Sequence, residues 1–147
     1  VKAKETDTYN YTEWKLPQVG ILDVENCSQN KNYIVIDVRE NDRYHGIIEP
    51  IDLIAGHIPG AVNIPFSTNL DSNGLFKTAS ELKNIYQTFF GNIKADHIIV
   101  HCGSGVTACH TLLAIAYAGF DIPKLYVGSW SEWSRNNKKI VTINNNL

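Results

Sequence analysis

The 147-residue chain has no methionine and only three cysteines, at positions 27, 102 and 109. An odd number of cysteines without the spacing of a disulfide framework excludes a disulfide-stapled secreted fold. It points instead to free thiols in a reducing compartment, so a cytoplasmic location is expected. Neither sign of charge is in excess: 13 Lys+Arg against 15 Asp+Glu leave a formal net charge of -2, which excludes the basic footprint of a nucleic-acid binder. Long hydrophobic runs are missing as well. No stretch approaches the ~20 apolar residues of a membrane helix, and the opening "VKAKETDTYNYTEWK" lacks the apolar core of a signal peptide. Neither a membrane nor a nucleic-acid partner is expected.

With 44% hydrophobic residues, the chain can bury one ordinary core and has no room for a second domain. Residues 1–15 are polar and unpatterned and suit a linker or arm, leaving 16–147 for the domain. Three β-branched runs, "YIVIDV" (33–38), "HIIVH" (97–101) and "LYVG" (125–128), suit buried parallel strands. Between them lie helical patterns. "TASELKNIYQTFFG" has Thr78 and Glu81 at capping-box spacing, Leu82, Ile85, Tyr86 and Phe89 on one face, and Gly91 as a stop. "VTACHTLLAIAYAGF" carries an apolar stripe through Cys109, Leu112, Leu113, Ala116 and Tyr117 before Gly119, which implies a buried, inert Cys109. Residues 39–76, rich in glycine and proline, predict loop with at most a short strand near "AVNIP". Alternation of strands and helices predicts an α/β domain with a mainly parallel sheet and helices on both faces. Sites in such sheets form at the carboxyl ends of strands, where "DVRENDR" and "HCGSGVT" would converge if the strands that run into them are neighbours.

The stretch "VHCGSGVTACH" (100–110) puts Cys102 between a strand end and a helix start. The positive end of a helix stabilises a thiolate. Gly103 and Gly105 let the backbone of Gly103, Ser104, Gly105, Val106 and Thr107 curl so that successive N–H groups face inward as an anion cradle. The plainer reading is a small buried hydrophobe at a tight strand-to-helix turn. A cysteine phosphatase needs an arginine six residues after the cysteine, and Ala108 stands there. A nucleotide P-loop needs a Lys-Ser or Lys-Thr pair after the glycines, also lacking. His101, Cys102, Cys109 and His110 have no CxxC spacing, and a helix turns 109 and 110 to different faces, so no metal site is expected. A thiolate attacking a soft electrophile remains, with sulfur the natural candidate because a persulfide carries terminal charge that backbone donors can hold.

Four stretches in order, "DVRENDRYHG", "AGHIPGAVNIPF", "CGSGVTAC" and "GSWSEW", resemble the catalytic domain of the rhodanese-type sulfurtransferases, most closely the C-terminal domain of the 3-mercaptopyruvate branch. The resemblance spans about residues 16–137. It implies a rhodanese-like α/β fold and a ping-pong cycle: a cysteine takes a sulfur atom from a small anionic donor and passes it to a thiol, cyanide or thioredoxin. No metal or organic cofactor is implied. Carried over by position, Cys102 is the nucleophile and persulfide carrier, Ser104 a serine that activates the thiol or relays protons, and Gly103 to Thr107 the cradle. Arg39 and Arg43 match the arginines that hold the donor's anionic group, a role suited to the guanidinium fork. Salt bridges of these arginines to Glu40 and Asp42 are the structural alternative. A plain turn serine is the alternative for Ser104.

Thiosulfate-specialised members resemble "CRKGVTAC", with two cations in the loop. Gly103 and Ser104 are neutral and favour a monoanionic keto acid, with thiosulfate as the second choice of donor. A non-catalytic binding module is the third reading. Trp130 and Trp133 are expected to pack near the loop, and His57 to stabilise a turn. The 3-mercaptopyruvate branch pairs an inactive first domain with a catalytic second one. The resemblance therefore carries the expectation of a missing N-terminal rhodanese-like partner domain.

Overall fold

The computed structural model describes residues 15–143; apart from Lys15, the expected polar arm lies outside them. In chain order the elements are β1 (Gln18–Val19), α1 (Ile21–Cys27), β2 (Ile34–Asp37), α2 (Asn41–Tyr44), β3 (Val62–Asn63), α3 (Ala79–Phe90), β4 (Ile98–His101), α4 (Val106–Tyr117), β5 (Lys124–Tyr126) and α5 (Ser129–Trp133), with 3-10 turns at Phe66–Asn69 and Ala95–His97. The five strands form one parallel sheet in the order β1-β5-β4-β2-β3. The three β-branched runs fall on β2, β4 and β5, and the short strand near "AVNIP" is β3. β2 and β4 are direct neighbours in register from Ile34 beside Ile98 to Asp37 beside His101, so their carboxyl ends do converge.

Alternation along the strands sends side chains to two apolar layers. Ile36, Ile98 and Val100 join Leu82, Tyr86, Leu112 and Ile115 under α3 and α4. Val35, Ile99 and Tyr126 join Val24, Trp130 and Trp133 under α1 and α5. This is the α/β architecture with helices on both faces.

Helix α3 has the expected ends. Thr78 N–H donates to Glu81 at 2.9 Å, Glu81 N–H donates to the Thr78 hydroxyl at 3.4 Å, and Gly91 closes the helix at φ +53°. Its buried side chains are Leu82, Tyr86 and Phe90, whereas Phe89 is exposed. The Tyr86 hydroxyl bonds to buried Asn69, and burial pushes its pKa to about 12.

The face expected for α4 requires correction. Ala108, Thr111, Leu112, Ala114 and Ile115 are buried, while Cys109, Leu113 and Tyr117 are exposed. The helix is apolar on most of its circumference, so periodicity alone does not choose the side that meets the sheet. The sequence does not signal β1 or α1, and the stretch 39–76 expected as loop with one short strand also holds the single-turn α2 and the 3-10 turn Phe66–Asn69; within α1 only Val24 is buried. Among the described residues, no helix is long and apolar enough to cross a membrane.

Candidate active site

The site is built where β4 stops. Residue Cys102, 1% exposed, belongs to the same apolar cluster as Val38, Ile64 and Ala108. Its backbone is held by the segment after β5. Its N–H donates to the Ser129 hydroxyl at 3.2 Å, its carbonyl accepts the Trp130 N–H at 3.0 Å, and the Gly103 carbonyl accepts the Ser131 N–H at 2.8 Å. Ser129 adopts φ +53°, an unusual conformation for a serine, and its hydroxyl also donates to the Tyr126 carbonyl at 2.9 Å.

Gly105 caps α4 at φ +86°. A Cβ at this position would lie 2.9 Å from the Val127 carbonyl oxygen, so both the backbone conformation and the close approach require glycine. Beyond it run the twelve residues of α4. Among the described residues, none of the backbone N–H groups of Gly103, Ser104, Gly105, Val106 and Thr107 has an acceptor. These five consecutive donors lie at the positive end of a helix, with no cationic side chain in the loop, an arrangement whose charge suits an anion. Ser104 is exposed at its tip and Thr107 is half-buried.

The two arginines have different positions. Arg39 is 2% exposed. Its Nε and Nη2 bond to both oxygens of Asp37, with 2.6 Å for the shortest contact; Nη1 donates to Glu49 at 3.1 Å, and Nη2 donates to the Gly56 carbonyl at 2.7 Å. This guanidinium is engaged below the surface. Arg43 is half-buried and borders the loop: Nη2 and Nη1 lie 3.5 and 3.6 Å from where a Gly103 Cβ would be. Its partners are Glu49 and Asp52. The carboxylates that pair with the arginines are thus Asp37, Glu49 and Asp52, not the neighbouring Glu40 and Asp42.

Beneath Cys102, His101 is fully buried, with Nδ1 3.1 Å from the Cys102 carbonyl and Nε2 3.8 Å from Asp37. Burial pushes the His101 pKa down. Burial alone would raise the Asp37 pKa, but nearby His101 and the bonded Arg39 guanidinium reverse that and hold it below the usual carboxylate range. His57 stacks on Tyr44 at 3.8 Å and bonds the Tyr44 carbonyl through Nδ1 at 2.8 Å, the turn-stabilising position expected of it. Trp130 and Trp133 are both buried, and their indole N–H groups donate to the Ile54 and Lys139 carbonyls. No group of three or more His, Cys, Asp or Glu suited to a metal occurs among the described residues.

Sequence reasoning missed Glu49, Asp52, Ser129 and Ser131. The first two sit in the glycine- and proline-rich stretch read as loop. The one local signal for the serines is the "GSWSEW" motif.

The rhodanese-like domain family matches residues 22–136. The chain belongs to the rhodanese-like domain family. A Pseudomonas aeruginosa protein named "Probable 3-mercaptopyruvate sulfurtransferase" is 46% identical over 99 residues, covering 67% of this chain and 35% of that protein. The thiosulfate sulfurtransferase of Rattus norvegicus is 40% identical over 110 residues, covering 73% of this chain and 37% of that protein. The Tum1 protein of Saccharomyces cerevisiae shares the fold at a TM-score of 0.71 and 23% identity, over 86% of this chain and 47% of that one. This rhodanese-like domain spans about a third of the length of the curated relatives it matches. Both donor classes therefore appear among the names of its relatives.

Proposed function

We propose that this rhodanese-like domain is a sulfurtransferase in which Cys102 carries the sulfur. The observation that carries this reading is the row of five N–H groups, Gly103 to Thr107, that have no acceptor among the described residues and follow directly after the cysteine. With 3-mercaptopyruvate, the Cys102 thiolate bonds to the donor sulfur and the C–S bond breaks. The electron pair stays on the three-carbon fragment, which takes a proton to become pyruvate. With thiosulfate, the S–S bond breaks and sulfite leaves with the electron pair. Either way Cys102 becomes a persulfide, whose terminal charge the cradle stabilises. In the second half-reaction a thiol, cyanide or thioredoxin thiolate takes the outer sulfur and the Cys102 thiolate returns.

The neutral loop supports 3-mercaptopyruvate over thiosulfate as donor, since no side-chain cation meets a dianion there. Ser104 is the candidate proton relay. Arg43 borders the loop and is the candidate contact for the donor's carboxylate, whereas Arg39 acts as a positioning residue through Asp37, Glu49 and the Gly56 carbonyl. The rim also supports a covering partner. Ile51, Leu53 and Val106 are 72%, 68% and 73% exposed and flank Asp52 and the cradle, an apolar fringe suited to a second rhodanese-like domain.

The test is intact mass after exposure to 3-mercaptopyruvate or thiosulfate, with Cys102→Ser as control. Gain of one sulfur from 3-mercaptopyruvate, absent in the variant, is the expected result. Gain from thiosulfate alone overturns the donor assignment. The burial of Cys102 favours one second reading, a binding module, and no gain from either donor would support it.

A further inference from the structure

The Arg43 guanidinium has two hydrogen-bonding edges. Glu49 takes the Nε/Nη2 edge, at 3.1 Å to Nε and 2.7 Å to Nη2. On the other edge Nη2 also donates to Asp52 at 3.2 Å, while Nη1 has no acceptor among the described residues. This half-used edge is the one beside Gly103, whose Cβ position lies 3.6 Å from both Arg43 Nη1 and Asp52 Oδ2.

Asp52 is a firmly held carboxylate. Its side chain is 1% exposed, and besides Arg43 it accepts from Arg135 Nη1 at 3.0 Å and from the Ser131 hydroxyl. Its own N–H and that of Ile51 donate to Glu49. Ser131 in turn donates its backbone N–H to Gly103. The acid is thereby tied to the same segment that holds the cradle.

We propose that Asp52 is a specificity-determining residue, an internal carboxylate that occupies half of the outer Arg43 edge and selects against dianionic donors. This rests on the sulfurtransferase reading above. A donor carboxylate that would grip Arg43 with both prongs must displace Asp52. With Asp52 in place, a monoanion bonds Nη1 and the cradle amides. Locally the three cations Arg39, Arg43 and Arg135 face the three anions Asp37, Glu49 and Asp52, so a dianion meets no net positive charge and an additional repulsion.

The experiment measures anion binding without turnover. In a Cys102→Ser background, pyruvate and thiosulfate are titrated while amide NMR shifts of Gly103 to Thr107 are followed, with and without Asp52→Asn. Removing the charge is expected to tighten thiosulfate about tenfold and pyruvate about threefold, since charge-assisted hydrogen bonds to Arg43 become available. Asp42→Asn, which removes the same charge from the exposed side of α2, should shift neither by more than about twofold. Thiosulfate binding that is unchanged or weaker in Asp52→Asn overturns the proposal. Binding of neither anion in any variant overturns the anion-cradle reading itself. Asp52→Ser supplies the same comparison if Asp52→Asn does not fold.

Discussion

The Arg39 guanidinium carbon lies 4.5 Å above the centroid of the Trp130 ring. The same indole donates its N–H to the Ile54 carbonyl at 2.9 Å, and the Trp130 backbone N–H donates to the Cys102 carbonyl at 3.0 Å. One buried tryptophan therefore joins three parts of the site: the segment after β2, the acidic stretch 49–54, and the loop after β4. Stacking on an aromatic face suits Arg and not Lys, because only the planar cation lies flat against the ring.

Arg39→Ala leaves Asp37 as a buried carboxylate without its cation. Breaking a buried pair from one side costs about 3–5 kcal/mol, so urea unfolding should show a loss of that order, and Arg39→Lys should recover only part of it. Unchanged stability with a raised donor KM would show that Arg39 contacts the donor directly.

Gly105→Ala should damage the cradle. The positive φ and the 2.9 Å approach to Val127 O both act against a Cβ, and the expected cost is about 1–3 kcal/mol. Gly119→Ala provides the comparison: it shares a positive φ, but a Cβ there would meet nothing within 4 Å. If both variants take up sulfur equally well, the close contact at Gly105 is unimportant to the site.

Ser104→Ala separates the two donor chemistries. Loss of pyruvate requires protonation of carbon, whereas loss of sulfite does not. A proton relay through Ser104 predicts a drop in kcat of about tenfold to a hundredfold with 3-mercaptopyruvate and less than about twofold with thiosulfate. Equal changes with both donors would assign Ser104 to the turn alone.

Stability should fall as pH drops below the ordinary histidine value of 6.5. Burial lowers the His101 pKa in the folded state, so in the window below 6.5 the unfolded chain binds more protons and is favoured. The contribution is present in full above 6.5 and is lost progressively beneath it. The depressed pKa of Asp37 adds a second loss below its ordinary value of 3.8. Chemical unfolding between about pH 5 and 7 checks the first effect: His101→Gln should flatten the slope, and an unaltered slope would assign it to other groups.

Sequence alone determined the features that depend on a few neighbouring residues. Thr78, Glu81 and Gly91 bound α3 because caps are made within one turn. The β-branched runs became β2, β4 and β5, and Cys102 with its two glycines encoded a strand-to-helix turn. All these signals are local, which is why they survived folding unchanged.

Tertiary structure decided which side chains meet. Helix α4 buries Ala108, Leu112 and Ile115 and exposes Cys109 and Leu113, a choice made by the sheet beneath a helix that is apolar nearly all round. Arg39 was legible as a cation near the site, but its burial against Asp37, Glu49 and Trp130 was not. Asp52 meets Ser131 and Arg135 from across the chain. No local spacing can encode such partners, because it is the order of the parallel strands that brings the loops at their carboxyl ends together.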